Sequence, residues 1–444
     1  MEGTLQEITS GLKNNDDFFE IYQDFGKEKL IFLGLNSLMD VPKTLFSLKE
    51  RLNNESAMDN QFTSILFGLG ENIIQDKKAI ISSILEGKLV ILLQNDQDQA
   101  IVVNPYSKML SRSIEAPTNE NTLQGGLSSF NEDLDTNLGI IRKQIVSENL
   151  LIKAFTLSNE QSRKVSLIYF KGSNKPYLET LEKRLKENIG IDPKNLQNLN
   201  RLMGIPRWSL VSHFTTTELP QEANNALERG RAVLFIDRLP YAFITPGRLE
   251  DMFFIENDEN FPYPIMIAIR FLRIAATLLT LIIPGLYVAL VSVNPEVLRI
   301  ELALSLAESR DGVPYPALVE TLLMLITLEL IIEASVRLPK SIGPTITMVG
   351  GIILGQAAVE AKLVSNLLII ILAATTIANS TIIGVQHSTS IRLFKYLILV
   401  LASFFGVLGI LVGVFFVCSY YASITTLGVP FINFNFSKGD IKSG

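Results

Sequence analysis

Four stretches of this chain run for about twenty residues or more without a charged side chain: Ile274–Pro295, Ser341–Val359, Leu363–Gln386 and Tyr396–Ser437. A fifth, Pro316–Val336, is apolar apart from Glu320, Glu329 and Glu333. About 20 apolar residues give a helix enough rise to cross the hydrocarbon core of a bilayer. Helices buried in a soluble core rarely stay free of charge for so long, since one face normally meets water. The pattern predicts five membrane segments, at about 270–293, 316–336, 342–360, 364–386 and 395–421.

The rest of the chain is different in kind. Residues 261–444 hold eleven Lys/Arg and nine Asp/Glu, which leaves 28 basic and 36 acidic residues in the first 260. An acidic, water-soluble front half therefore precedes a charge-poor rear half. The acidic balance argues against nucleic acid as a partner, because phosphate binding needs clustered Lys and Arg. One cysteine, Cys418, excludes an intrachain disulfide framework and a multi-cysteine metal site. Met1–Glu20 is polar and acidic, unlike a cleaved signal peptide. With the front half inside, Arg270, Arg273, Arg337, Lys340, Arg392 and Lys395 fall in inner loops, which leans toward a cytoplasmic N-terminus and an outer C-terminal tail. Leu298, Leu302 and Leu306 recur at i, i+4 and i+8, the spacing of an amphipathic helix at the outer interface.

In the front half, short runs rich in β-branched and aromatic residues read as strands: Leu89–Leu93, Ala100–Val103, Val165–Phe170, Ala232–Ile236 and Tyr241–Ile244. Helical patterns at Asp133–Val146 and Leu178–Glu187 alternate with them, which predicts α/β units. An internal repeat is visible. EGKLVILLQNDQDQAIVVNP from Glu86 matches RGRAVLFIDRLPYAFITP from Arg229, with Gly87 over Gly230 and Pro105 over Pro246. Each copy reads as a helix stopped at Gly, a strand, a turn and a second strand. The expected organisation is a first cytoplasmic α/β subdomain over 1–155, a second over 156–255, a linker over 256–269, a helical transmembrane domain over 270–424 and a tail over 425–444.

The segments SIEAPTNENTLQGGLSSFNEDLDTNLGIIRKQI (Ser113–Ile145), TTELPQEANNALERGRAVLFIDRLPYAFITP (Thr216–Pro246), ESRDGVPYPALVE (Glu308–Glu320) and EASVRLPKSIGPTITMVGGIILGQAAVEAKLVSN (Glu333–Asn366) resemble the A subunits of spore germinant receptors, the GerA family. The resemblance runs over roughly 30 to 430. It implies a nutrient sensor of the spore inner membrane that works with a multi-spanning B subunit and a lipoprotein C subunit. It also implies a homo-oligomer that conducts cations when nutrient binds. The chain departs from the family pattern at several positions. Asp135 and Ile332 stand where Arg is usual, Ser335 and Arg238 where Gly is usual, and Glu222 where Asp is usual.

No enzyme motif is present: no P-loop, no nucleophile elbow and no His/carboxylate cluster at metal spacing. The reading is a non-enzyme without cofactor or metal. Ionisable groups at membrane depth are the informative residues, since a charge facing lipid costs roughly 2.5 kcal/mol or more. Glu329, Glu333 and Arg337 are spaced to share a helix face, as an ion path or as a Glu333–Arg337 pair. Gln356 and Glu360 lie one turn apart beyond Gly351-Ile-Ile-Leu-Gly355, a spacing that allows close helix approach. They are candidates to face a pore, where rings of carboxylates select cations. Thr376 and Asn379 are candidates for the same path or for bonds between helices. Gly409 and Gly413 read as packing positions. In the front half, Glu115, Glu120, Asn137, Arg142 and Glu218 are candidates to join the two subdomains, with Arg142 paired to a carboxylate.

Overall fold

Near-continuous apolar strands such as EKLIFLGL and AVLFI must be covered on both faces, and the fold does this twice. The computed structural model describes residues 8, 11–12, 14–25, 28–55, 72–74, 76–93, 100–108, 128–157, 163–172, 176–188, 190–339 and 343–432. In the first lobe, β1 (Phe18–Phe25), β2 (Glu28–Leu35), β3 (Asn72–Ile74), β4 (Leu89–Leu93) and β5 (Ala100–Val103) form one antiparallel sheet in the order β1-β2-β4-β5-β3. Side chains alternate across it. Ile31, Leu33 and Leu35 meet Ile8, Leu12 and α2 (Lys77–Leu85) on one face. Leu30 and Phe32 meet Leu48 and Leu52 of α1 (Val41–Glu55) on the other.

The second lobe repeats this plan. β6 (Leu150–Leu157), β7 (Arg163–Phe170), β8 (Thr215–Thr217), β9 (Ala232–Ile236) and β10 (Ala242–Thr245) take the equivalent order β6-β7-β9-β10-β8. Val233 and Phe235 pack with α3 (Leu134–Gln144) and α6 (Pro220–Glu228). Leu234 and Ile236 pack with α4 (Pro176–Glu187) and α5 (Leu196–Leu202). The two hairpins aligned in the sequence, β4–β5 and β9–β10, occupy the same place in each sheet. Gly87 and Gly230 end the preceding helices with φ of 86° and 70°, where a Cβ would be strained. Arg238 takes φ 67° in the β9–β10 turn, a conformation for which the resemblance expects glycine. The boundary expected at 155 is corrected: α3 lies before it and β6 straddles it, yet α3 packs in the core of the second sheet and β6 is one of its strands. The buried face of α3 mixes Leu134, Leu138 and Ile141 with the polar Thr136, Asn137 and Arg142, which weakens its apolar signal.

The chain divides into two compact units. The lobes and Thr426–Val429 form one, and Leu210–Ser212, Arg248–Thr425 and the residues after Val429 form the other. The second unit is helical: α7 (Tyr263–Val288, extended as a π-helix to Val293), α8 (Ile300–Ser309), α9 (Ala317–Arg337), α10 (Gly343–Glu360), α11 (Asn366–Asn379) and α12 (Val385–Ser423). Helices stand at the five expected segments, and two of them, Tyr263–Val293 and Val385–Ser423, have the length and hydropathy to cross a bilayer. α11 has 14 residues and rises about 21 Å, less than the ~30 Å core. The linker expected over 256–269 is shorter than that, since α7 already starts at Tyr263.

The last segment, expected as one span, is a tight hairpin. Gly406 breaks α12 with φ 61° and ψ −139°. A Cβ on Gly413 would sit 3.2 Å from Cα of Ile398, fifteen positions earlier, and the rings of Phe394 and Tyr421 are 5.5 Å apart. A straight helix would separate Phe394 and Tyr421 by about 40 Å. The arms, 385–405 and 407–423, are therefore antiparallel. Asn294 seals the turn, its Oδ1 accepting from the Val407 backbone N–H at 3.1 Å. Because the second arm returns toward the end where the first began, the chain re-enters the α/β unit at Thr426–Val429. Leu427 and Val429 pack on the second lobe's core, and buried Thr426 bonds the His213 ring at 2.8 Å. Thr426–Val429, expected within an outer tail, thus belong to the α/β unit.

Candidate functional site: buried charges of the helical unit

Glu320 lies in the first turn of α9 and is fully buried. Its Oε1 accepts from the Ser365 backbone N–H at 2.6 Å and from the Tyr287 hydroxyl at 3.4 Å. Arg310 Nε lies 3.3 Å from its other oxygen. Ser365 also caps α11, its Oγ accepting from Leu368 N. One carboxylate thus ties α7, α9, the start of α11 and the loop after α8. Partners of this kind offset the cost of burying a carboxylate; Oε2 has the Arg310 charge at ion-pair distance but no hydrogen bond among the described residues. In the sequence, Glu320 is met only as an interruption of an apolar run and is not taken as a site candidate. The clue was the segment ESRDGVPYPALVE, whose Arg310 folds back on its final Glu320.

Glu329, two and a half turns further along α9, accepts from Arg392 Nη1 at 2.6 Å and lies 3.6 Å from Lys395 Nζ. Both cations are on α12. The face expected to unite Glu329, Glu333 and Arg337 is split. Residues at i, i+4 and i+8 drift about 40° per step around a helix, so Glu329 turns inward while Glu333 and Arg337 remain exposed. Those two pair with each other at 2.6 Å with side chains 65% and 77% exposed. A third carboxylate, Asp258, receives both terminal nitrogens of Arg273, at 2.5 and 2.8 Å, at the start of α7. Asp258 falls in the linker expected over 256–269.

On α10, Gln356 and Glu360 are exposed, and the space beyond Gly351 and Gly355 is open to 4 Å. Thr376 donates to Leu372 O of its own helix. Asn379 donates to Ser388 Oγ at 2.8 Å, joining α11 to the first turn of α12. Gly409 and Gly413 line the inner face of the hairpin, where a Cβ on Gly409 would come within 2.5 Å of the Leu401 carbonyl carbon.

In the α/β unit, Arg142 is 1% exposed and its Nε lies 3.4 Å from Asp17 Oδ2, across the two lobes. Burial pushes the guanidinium pKa down, and Asp17 opposes that. Asp17 is held from behind by the Ser37 backbone N–H at 2.8 Å and hydroxyl at 2.7 Å. Asn15 and Asp16 add bonds to the backbone of β6. Beside this junction a cleft of about 520 Å³ is lined by Asp16, Asn36, Lys108, Asp135, Phe155 and Lys164. The partner Asp17 was not among the sequence candidates. Asn137 does not join the lobes; it clamps the backbone of Asn131 beside its own helix, at 2.9 and 2.7 Å. Glu218 is buried within the second lobe, where its carbonyl accepts from Phe130 N. Glu115 and Glu120 lie outside the described residues.

The chain thus joins a duplicated α/β unit to a helical unit in which two helices are long and apolar enough to cross a bilayer. The chain belongs to the Bacillus/Clostridium GerA spore germination protein family, whose model matches residues 6–442. It is 32% identical over 353 residues to spore germination protein GerLA of Bacillus cereus, covering 79% of this chain and 71% of that one. It is 29% identical over 434 residues to spore germination protein A1 of Bacillus subtilis (strain 168), covering 97% and 90%. Among solved structures, the N-terminal domain of the A subunit of the Bacillus megaterium spore germinant receptor GerK3 overlays with 19% identity and a TM-score of 0.40, covering 55% of this chain and 92% of that one.

Proposed function

We propose that this chain is the A-type subunit of a spore germinant receptor, acting in the spore inner membrane with its lobes on the cytoplasmic side. In this reading several copies assemble around a cation path that opens when nutrient binds the receptor, and a multi-spanning B subunit and a lipoprotein C subunit complete the complex. The chain acts as a gated path and not as an enzyme.

The observation that carries this reading is the state of α10. Glu320 and Glu329 are consumed by pairing inside the unit. α10, by contrast, exposes Gln356 and Glu360 together with Ile352 and Ile353, and nothing fills the space beyond Gly351 and Gly355. A helix that is apolar on one side and carries an amide and a carboxylate one turn apart suits the wall of a path between copies.

The test is ion flux through the purified protein in liposomes, wild type beside Gln356→Ala and Glu360→Ala, with and without the B and C partners and nutrient. Cation flux reduced or altered in selectivity by Glu360→Ala supports the path. Absence of flux from a folded oligomer with partners and nutrient present would favour a membrane-anchored scaffold in its place.

A further inference from the structure

Trp208 is the single tryptophan of the chain and is 93% exposed. It sits at the tip of a turn, Pro206-Arg207-Trp208-Ser209, closed by the Ser209 N–H donating to Pro206 O at 3.1 Å. Arg207 beside it is also exposed. The turn is firmly held. Met203 and Ile205 are buried before it, and Ser209 Oγ bonds the His213 ring at 3.0 Å after it. The fold therefore presents the indole to the outside although burial of its large ring is favourable.

The next residues say what covers it. Leu210–Ser212 belong to the helical unit. The Leu210 N–H donates to the Tyr420 hydroxyl at 2.9 Å, and its carbonyl accepts from the Ser390 hydroxyl. Val211 is buried in the core of the helices. Ser390 lies in the second turn of α12 and Tyr420 in its last, so both stand at the open end of the hairpin, where the apolar arms terminate. Two residues of chain reach about 7 Å at most, which confines Trp208 to that same level. Leu210 adds an exposed apolar side chain there.

An indole wants its ring out of water and its N–H in it, and tryptophan collects at the headgroup level of bilayers for that reason. An adjacent guanidinium reaches lipid phosphate from the same depth. We infer that the Arg207–Trp208 turn is a membrane-interface anchor: Trp208 inserts among lipid headgroups on the head side of the bilayer, and Arg207 contacts their phosphates. This rests on the membrane reading of the helical unit.

Because Trp208 is the only tryptophan, its fluorescence reports the anchor directly in the full-length protein. The protein is reconstituted in phosphatidylethanolamine/phosphatidylglycerol vesicles in which lipids brominated near the headgroup or near the chain terminus replace a fraction of the lipid. The expected result is emission at shorter wavelength than in the unfolded chain, strong quenching by shallow bromines, weaker quenching by deep ones, and protection from aqueous iodide. Trp208→Phe combined with Phe415→Trp moves the reporter to an exposed position mid-way along the second hairpin arm. If that reporter is quenched by lipid bromines but Trp208 is quenched only by iodide, the anchor is refuted and the membrane reading stands. Trp208 shielded from both quenchers would mean that protein covers it, and also refutes the anchor. If neither reporter meets lipid, both readings fall.

Discussion

Replacing the glycines of the α12 hairpin by alanine separates a folded-back helix from a straight one by the sign of the effect. In a continuous helix, Gly→Ala gains about 1 kcal/mol. In the hairpin, Gly406→Ala forces a non-glycine residue to φ 61° and ψ −139°, a strain of about 1–3 kcal/mol. Its Cβ would also lie 2.9 Å from Cγ of Asn294 and from Cγ1 of Val293. Displacing Asn294 leaves the Val407 N–H without its acceptor, a further loss of about 1–3 kcal/mol. The sum is a destabilisation of roughly 2–6 kcal/mol, against the gain a straight helix would show. Gly409→Ala should share the sign, since its Cβ enters the Leu401 backbone. The assay is reversible unfolding of the purified protein in mixed detergent micelles, followed by circular dichroism. Spin labels at Phe394 and Tyr421, in a Cys418→Ser background, give an independent distance. Neutral or stabilising glycine replacements, together with a label separation near 40 Å, would refute the hairpin and the return of the tail that follows from it.

The inter-lobe pair predicts an asymmetry. Asp17→Asn strands a buried guanidinium and should cost about 3–5 kcal/mol, whereas Arg142→Met leaves Asp17 its two bonds from Ser37 and should cost less; denaturant unfolding of both singles and the double variant checks this, and strictly additive effects would count against coupling. The second prediction concerns pH. Burial pushes the His213 pKa below its usual 6.5, so the unfolded chain takes the proton more readily. Stability should be full above about pH 6.5 and decline as pH falls from there through the folded-state value. His213→Gln should flatten that decline in a stability–pH series, and an unchanged slope would assign it to another group.

Much of the α/β half was readable because strands buried on both faces leave an unmistakable apolar run. The strands at Leu89, Ala100, Val165, Ala232 and Tyr241 were located within about two residues, and the repeat pointed to two like units. β1, β2 and β6 were missed, as were β3 and β8, which have three residues each. β1 and β6 mix polar and apolar residues, and the apolar run of β2 is interrupted by glycine. Among the site residues, Arg142 was legible as a cation that would pair with a carboxylate between the lobes. Its partner was not, because Asp17 lies 125 positions away and nothing local marks it. Glu320 was seen but not singled out, since nothing local marks it until Arg310, Tyr287 and Ser365 are brought around it.

Composition and periodicity, which act over a few residues at a time, were enough to determine that the chain has a water-soluble α/β part, an apolar helical part and a duplicated hairpin. They also predict helix over 395–421, because a charge-free run in a bilayer must satisfy its backbone groups internally. Whether that helix runs straight or doubles back depends on one glycine whose conformation is set by Asn294, 112 positions earlier. Which carboxylates are buried and which stay open likewise depends on helices meeting in space. Those choices come from packing between distant segments, so the tertiary structure alone decided that Glu320 and Glu329 are closed within the unit, that Gln356 and Glu360 remain open, and that the tail returns to the lobes.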